Sequence, residues 1–243
     1  MASDQESSNS GHIYQYSLMS ALLVGETQGG LALKELTKRG DFGVGTFQLV
    51  DGEMILMNGT AYHMKHDGST SIVPPDTILP FAVVTTFKPT IKSEVSSVTK
   101  DELQRHIEQL TPTAGNYFLA IRLDGKFKKM KVRVIRAQDV PGEPILETVR
   151  KNQREIETEN VEGTMIGFRS PECFQGVTVA GYHLHFINSE RKAGGHCLAY
   201  EIEHANVQVS IIRKLHTELP DRDNFYKADL SLNQEGIVSV EGK

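Results

Sequence analysis

Three histidines that lie close together in the sequence are the residues best suited to do chemistry. His183 and His185 are separated by one residue, and His196 follows eleven residues later. The apolar segment around the first two predicts a β-strand, in which alternate side chains share a face. Their Cα atoms would lie roughly 6.6 Å apart at ~3.3 Å per residue. Both imidazoles could then reach one metal ion at ~2.0–2.1 Å per bond, while Leu184 and Phe186 face a core.

The third histidine would approach from the next strand. Residues 188–195 read as a turn, and His196 opens the strand that follows. In a hairpin, His196 would lie near His185 across the ladder. Three imidazoles without a thiolate are typical of a catalytic site with open coordination positions, rather than a closed structural site. The alternative is that the His-x-His pair is simply the polar face of a strand.

The remaining histidines have no comparable context. His63 and His66 flank the Asp67-Gly68 turn and are predicted to lie at the surface. Four others are interpreted as structural or solvated residues: His12, His106, His204 and His216.

The elements that would position these residues are mostly strands in the first half of the chain. Residues 17–38 predict a helix that is broken near Gly29-Gly30. Asp-Gly at 51–52 and Asn-Gly at 58–59 separate apolar runs, which predicts a β-meander over about 45–73. A strand at 81–87 follows. Thr99 and Glu102 form a capping box at the start of a short helix that reaches about Leu110.

The second half of the chain continues the strand-rich pattern. Asp124-Gly125 predicts another tight turn between two strands, and residues 144–157 predict a polar helix. The predicted strands are 117–122, 127–135, 163–168, 176–187, 196–203 and 207–212. Many strands with few helices indicate the α+β class, with mixed or antiparallel sheets and peripheral helices.

Composition limits the class of function. The 243 residues carry a net charge of -5, so no basic surplus exists to neutralise phosphates, and nucleic acid is not expected as a partner. No apolar run approaches the roughly 20 residues that span a bilayer. Two cysteines exclude a disulfide scaffold and an all-thiolate zinc site. We expect a cytoplasmic protein with a polar, disordered tail at 1–12, an N-terminal meander lobe at 13–115 and a C-terminal metal-binding lobe at 116–243.

The histidine segment resembles a known protein family. Residues 176–186 followed by Gly194-Gly195-His196 are similar to the signature of α-acetolactate decarboxylases. Segments 40–53 and 80–85 resemble two further motifs of that family. Residues 133–138 keep its Arg and Gln spacing, although Arg136 stands where a proline is expected, so Arg133 and Arg136 remain alternatives. The resemblance covers about 17–212.

The resemblance implies decarboxylation of (S)-2-acetolactate to (R)-acetoin and CO₂, in acetoin and butanediol biosynthesis. It implies a two-lobed, β-rich homodimer with zinc on the three histidines, although histidine sites accept other divalent metals. It assigns active-site roles to Glu53, Arg133 and Glu241, and places Thr46 near the substrate. Glu241 would act either as a fourth metal ligand or as a proton relay.

The chemistry suits these residue types. Decarboxylation leaves electrons that must flow into the ketone, and a metal ion can act as the electron sink for the resulting enediolate. A guanidinium can bind the substrate carboxylate with two hydrogen bonds. A carboxylic acid must then protonate one face, and Glu53 or Glu241 could do so. Equally, Glu53 and Arg133 could be solvated residues, and Glu241 could lie in a frayed chain end.

Two other functional classes remain open from sequence. One is a non-catalytic, metal-stabilised binding module, which salt-sensitive DNA binding would indicate. The other is a histidine-ligated metal oxygenase on a cupin-like barrel, which metal analysis and oxygen consumption would identify.

Overall fold

In the computed structural model, which describes residues 11–231, the larger of two main sheets is mixed. Its strands run in the spatial order β14 (Lys214–Glu218), β1 (His12–Tyr16), β8 (Phe81–Thr85), β3 (Phe42–Thr46), β4 (Glu53–Met57), β5 (Thr60–Met64), β6 (Thr70–Ile72). The pairing of β1 with β14 is parallel, and the other pairings are antiparallel. The predicted meander over 45–73 corresponds to β3–β6.

The second sheet is built from long antiparallel strands. Its strands are β9 (Ile91–Thr99), β10 (Phe118–Ile135), β11 (Gln153–Ser170), β12 (Gly181–Asn188) and β13 (Gly194–Ile212). Strand β10 pairs with both β11 and β13, and β12 pairs with both of those strands, so four strands close into a barrel. Strand β9 extends the barrel by pairing with β13.

Within residues 11–231, helices are few and lie around the sheets. They are α1 (Met19–Leu23), α2 (Leu33–Leu36), α3 (Lys100–Leu110), α4 (Ile145–Asn152) and α5 (Asp223–Lys227). A short ladder also joins β2 (Leu31–Ala32) to β7 (Ile78–Leu79). The predicted strand-rich α+β class is therefore confirmed, and α3 has the predicted capping box of Thr99 and Glu102. None of the helices described is long and apolar enough to cross a membrane.

The hydrophobic core explains how the two sheets meet. One buried cluster contains Val44 and Ile55 of the larger sheet together with Phe168 and Ile187 of the barrel, so it fills the space between them. A second cluster fills the barrel beneath α3, and a third lies between the larger sheet and α2. Strands β4 and β8 are buried on both faces, which accounts for their continuous apolar sequences.

The predicted helix over residues 17–38 is wrong in extent. The chain forms only the two short helices α1 and α2, separated by a turn in which Gly29 and Gly30 have φ of 65° and 132°. A Cβ at Gly30 would lie 2.0 Å from the carbonyl oxygen of Leu79, so the glycine lets β2 approach β7 closely. The pairing of β2 with β7 therefore takes the place of the middle of the predicted helix.

The predicted turn at Asp124-Gly125 is also wrong, because both residues lie inside the continuous strand β10. Gly125 stands opposite Gly163 and Ala205 in the ladders on either side. A Cβ there would lie 2.2 Å from the His204 carbonyl oxygen, so this glycine serves close strand approach rather than chain reversal. Asp124 accepts hydrogen bonds from Arg122 within the same strand.

Other predicted boundaries shift for the same reason. The helix predicted over 144–157 ends at Asn152, and 153–157 join β11 by pairing with 131–135. The strand predicted from 176 begins at Gly181, and β13 runs without a break through 204–206. Neither sheet is formed only by residues on one side of position 116. Strand β9, from the first half of the chain, pairs with the barrel strands, and β14, from the second half, belongs to the larger sheet. The division into lobes at 115 and 116 stays a prediction.

Candidate metal centre and active site

A pocket lies between the larger sheet and the barrel. One part of its wall is apolar and consists of Met19, Leu22, Val50, Phe81, Ile135 and Ile145. The rest is polar and consists of Thr46, Glu53, Arg133, His183, His185 and His196. A pocket that combines an apolar wall with a few convergent polar groups is typical of a small-molecule site.

Strand alternation explains why these polar residues face one another. On β4, Glu53 has the same parity as Ile55, whose side chain packs in the core between the sheets. On β12, His183 and His185 have the same parity as Ile187 in that core, whereas Leu184 and Phe186 pack inside the barrel, as predicted. The two strands therefore turn their polar side chains toward the same space.

The three histidines converge from two neighbouring strands. The register of β12 and β13 sets His185 directly opposite His196. One nitrogen from each ring lies within 4.8 Å of the others. The Nε2 atoms of His183 and His185 are 3.1 Å apart, and His185 and His196 are 1% and 3% exposed. These rings form a compact nitrogen cluster at one side of the pocket.

The tautomer of His185 is fixed by a contact with the larger sheet. Its Nδ1 lies 2.9 Å from the carbonyl oxygen of Met54. A carbonyl can only accept a hydrogen bond, so Nδ1 carries the proton and Nε2 presents its lone pair to the cluster. Burial, and then the neighbouring His183, hold the pKa of His185 well below its usual value, so the ring is neutral.

The donor set fits a divalent metal ion. Two nitrogens bound at ~2.0–2.1 Å to a tetrahedral ion lie about 3.3 Å apart, close to the 3.1 Å spacing of His183 and His185. Oε2 of Glu53 lies 3.5 Å from the lone-pair nitrogen of His185, and Glu53 is only 7% exposed. A cation shared among these atoms would relieve the approach of a carboxylate to a lone pair.

Arg133 lies on the barrel side of the pocket. It stands opposite His196 in the ladder of β10 and β13 and is 3% exposed. Its Nε has no hydrogen-bond partner within the described part of the chain. Arg136, the alternative from sequence, is outside the pocket and binds Asp139 and Asn152. The geometry therefore brings Arg133, and not Arg136, to the histidines.

Thr46 stands opposite Glu53 in the ladder of β3 and β4. Its hydroxyl donates a hydrogen bond of 2.8 Å to the Gly52 carbonyl. The hydroxyl proton is engaged, so the oxygen can offer only its lone pairs to a molecule in the pocket. Glu241, the other carboxylate predicted from sequence, lies outside the described residues.

Sequence reasoning missed two contributions to this site. The Met54 carbonyl is a backbone atom on a strand 131 residues away from His185, and no side-chain motif marks it. His63 was expected at the surface, but its ring is partly buried against Phe47. Its position on β5, opposite Met54 of β4, becomes apparent only when the two strands pair, so no local sequence signal marked it.

A β-barrel docked on a mixed sheet, with ionisable and metal-capable groups at their junction, has the features of an enzyme that acts on a small molecule. The family model described as alpha-acetolactate decarboxylase matches residues 13–232. The chain belongs to the α-acetolactate decarboxylase family.

Individual relatives support this assignment over nearly the whole chain. The alpha-acetolactate decarboxylase of Methylococcus capsulatus is 38% identical over 227 residues, which cover 93% of this chain and 86% of the relative. That of Methanosarcina mazei is 40% identical over 232 residues, covering 94% and 80%. The crystal structure of alpha-acetolactate decarboxylase from Bacillus subtilis strain 168 aligns with a TM-score of 0.92 at 36% identity, covering 96% and 100%.

Proposed function

We propose that this protein catalyses the decarboxylation of (S)-2-acetolactate to (R)-acetoin and CO₂. Family membership makes the chain a decarboxylase of acetoin biosynthesis. The observation that carries the rest of the proposal is the convergence of three imidazoles, Glu53 and Arg133 on one pocket. Each group matches one requirement of the reaction.

The first requirement is to hold the substrate carboxylate. Acetolactate is a β-keto acid, and its C–C bond breaks most readily when the carboxylate lies out of the plane of the ketone. Arg133 is buried and its Nε has no hydrogen-bond partner among residues 11–231, so its guanidinium can bind the carboxylate at short range. The lone pairs of Thr46 can accept a hydrogen bond from the substrate hydroxyl.

The second requirement is to receive the electron pair that CO₂ leaves behind. A divalent ion held by His183, His185 and His196 would act as a Lewis acid and draw electron density from the substrate ketone. Neutral imidazoles leave the charge of the ion intact, and His185 is neutral. We propose zinc as this ion, because it favours nitrogen ligands in tetrahedral sites with an open position.

The third requirement is one proton for the carbon that lost the carboxylate. The Glu53 carboxyl is buried beside the histidine cluster and lines the pocket, where it could deliver a proton to this carbon. Delivery from one side of the pocket would set the handedness of acetoin. Glu241 is the second candidate for this role.

The proposed function is tested by supplying racemic acetolactate to the purified protein. We expect CO₂ and one enantiomer of acetoin, loss of both products after treatment with a chelator, and recovery on adding zinc. A fully metal-loaded protein that releases no CO₂ would refute the proposal. Oxygen consumption, or tight and salt-sensitive DNA binding, would instead indicate the oxygenase or the binding module.

Exchanging Arg133 for lysine tests the carboxylate role. Lysine keeps the charge but loses the planar pair of donors. A charge-assisted hydrogen bond contributes ~1.5–3 kcal/mol, so we expect kcat/KM for acetolactate to fall roughly 10–150-fold. The matched control is Arg136→Lys, since Arg136 lies outside the pocket. Equal losses in both variants would contradict this role.

Assembly and location stay predictions. We propose a homodimer, which sedimentation equilibrium of the purified protein would test, and a cytoplasmic protein. Within the described chain, exposed Cys173 and buried Cys197 are both free thiols, which agrees with a reducing compartment.

A further inference from the structure

The connection between β3 and β4, residues 47–52, has a strained backbone. Leu49 and Val50 have φ of 60° and 58°, in the left-handed region that non-glycine residues avoid, and Gly52 has φ of 82°. A bulky or β-branched residue in this region is strained, because its side chain crowds the neighbouring backbone. Such a conformation persists only when surrounding contacts impose it.

Backbone hydrogen bonds to neighbouring segments impose this conformation on part of the connection. The Leu49 amide donates to the Thr27 carbonyl at 2.9 Å, and the Gln138 amide donates to the Leu49 carbonyl at 2.8 Å. The Gly52 amide lies 2.9 Å from the Ile135 carbonyl, on the strand that also carries Arg133. These contacts tie the connection to the end of β10 and to the segments around Thr27 and Gln138, but none of them engages the carbonyl of Asp51.

His63 holds that carbonyl from the neighbouring strand β5. Its Nε2 lies 2.6 Å from the Asp51 oxygen. Its ring packs on Phe47 with centroids 3.8 Å apart, so one side chain contacts both ends of the connection. Because a carbonyl only accepts, Nε2 is the donor. Burial lowers the pKa of His63, in keeping with a neutral ring in this tautomer.

Through the turn at Gly52, the contacts of His63 affect two side chains of the pocket, Thr46 and Glu53. A Cβ on Gly52 would lie 2.7 Å from His63 Nε2, so the ring packs tightly against this turn. The Gly52 carbonyl accepts the hydrogen bond of Thr46, and the next residue is Glu53. A shift of the Asp51 carbonyl would therefore move both side chains relative to the histidine cluster.

We propose that His63 is a positioning residue that fixes the β3–β4 connection and so aims the Glu53 carboxyl at the reacting carbon. It acts through the Asp51 carbonyl and the ring of Phe47, and it does not touch the substrate. This role rests on the proposed decarboxylation, and it extends the active site to a third strand of the larger sheet.

Two substitutions at residue 63 separate the donor from the ring. His63→Phe keeps an aromatic surface for Phe47 but removes the donor. His63→Gln restores an N–H at a similar reach. The control is His204→Phe, at an exposed histidine of β13. The wild type and these three variants are compared in kcat, KM, enantiomeric purity of acetoin, metal content and thermal unfolding.

For His63→Phe we expect kcat to fall roughly 10–100-fold, because misplacement by about 1 Å has effects of this size. KM should change less than kcat, because Arg133 is unaltered and only the Thr46 contact with the substrate would shift. Metal content should be unchanged, since the histidine cluster is not altered. Acetoin should lose enantiomeric purity as water competes with the displaced acid. His63→Gln should recover most of kcat and of the purity, and His204→Phe should match the wild type.

A wild-type kcat and product handedness in His63→Phe would overturn the inference. So would a His63→Gln variant as impaired as His63→Phe, since the donor would then be irrelevant. An inactive wild type with full metal content would refute the decarboxylase proposal itself, which keeps the two failures distinct.

Discussion

Replacing His183 with alanine is expected to remove both the bound metal and the decarboxylase activity. The substitution deletes one of three nitrogens that lie within 4.8 Å of one another. His183 is also the most accessible of the three, so its loss should disturb packing least. Because an ion of this kind supplies several kcal/mol of transition-state stabilisation, we expect kcat/KM to fall at least ~10³-fold.

Metal content per chain and acetoin formation are measured on the same preparation. His204→Ala is the control, because His204 is exposed and is not one of the three clustered histidines. It should keep one ion per chain and full activity. A His183→Ala protein that retains a stoichiometric ion would contradict the ligand assignment, even if its activity were lost.

Replacing Glu53 with glutamine is expected to lower kcat roughly 10²–10⁴-fold, the usual contribution of a positioned general acid. Glutamine has nearly the same shape as glutamate but cannot deliver a carboxyl proton. The three histidines and Arg133 stay intact, so metal content and KM should change little. The measurement is steady-state kinetics with metal analysis of the same variant.

Substitutions of two further glutamates show whether the loss of kcat is specific to Glu53. Glu190→Gln alters a carboxylate whose ion pair with Lys192 is solvent-exposed, and it should leave kcat unchanged. Glu241→Gln, measured in the same assay, decides between the two carboxyls proposed as the acid. If kcat falls only in Glu241→Gln and its metal content is unchanged, the proton role belongs to Glu241 and the assignment of Glu53 is wrong. Loss of the ion in Glu241→Gln would instead indicate a fourth metal ligand.

The strand that carries the first two histidines was predictable because its physics is local. Alternation alone separates His183 and His185 from Leu184 and Phe186, and the structure follows this division. The position of His196 opposite His185 followed from one further assumption, that the two strands form a hairpin. The capping box at Thr99 is local in the same sense.

Local rules failed where distant chain segments decide the conformation. Asp124-Gly125 has the composition of a turn, but the strands on both sides need the missing side chain of Gly125 in order to approach. Likewise, Gly30 admits the ladder with Leu79 and interrupts an otherwise helical apolar pattern. In both cases the glycine reports a tertiary contact that sequence spacing does not encode.

For the same reason, the prediction of the site residues outside the histidine cluster depended on the resemblance to a known family. Nothing local distinguishes Glu53 or Arg133 from a solvated strand residue, and their proximity to the histidines arises only when the sheets pack together. The contact of His63 with Asp51 is likewise invisible until β5 pairs with β4. Residues that position others through backbone atoms carry little sequence signal.

The hydrogen bond between His185 and the Met54 carbonyl joins the barrel to the larger sheet at the metal-capable cluster. Binding of a metal ion to these histidines would therefore be thermodynamically linked to the docking of the two sheets. A ligand that binds only the native state raises the free energy of unfolding by about 2.7 kcal/mol at 100 times its dissociation constant. An ion on these histidines would thus stabilise the packing of the barrel against the larger sheet, and separation of the sheets would weaken its binding.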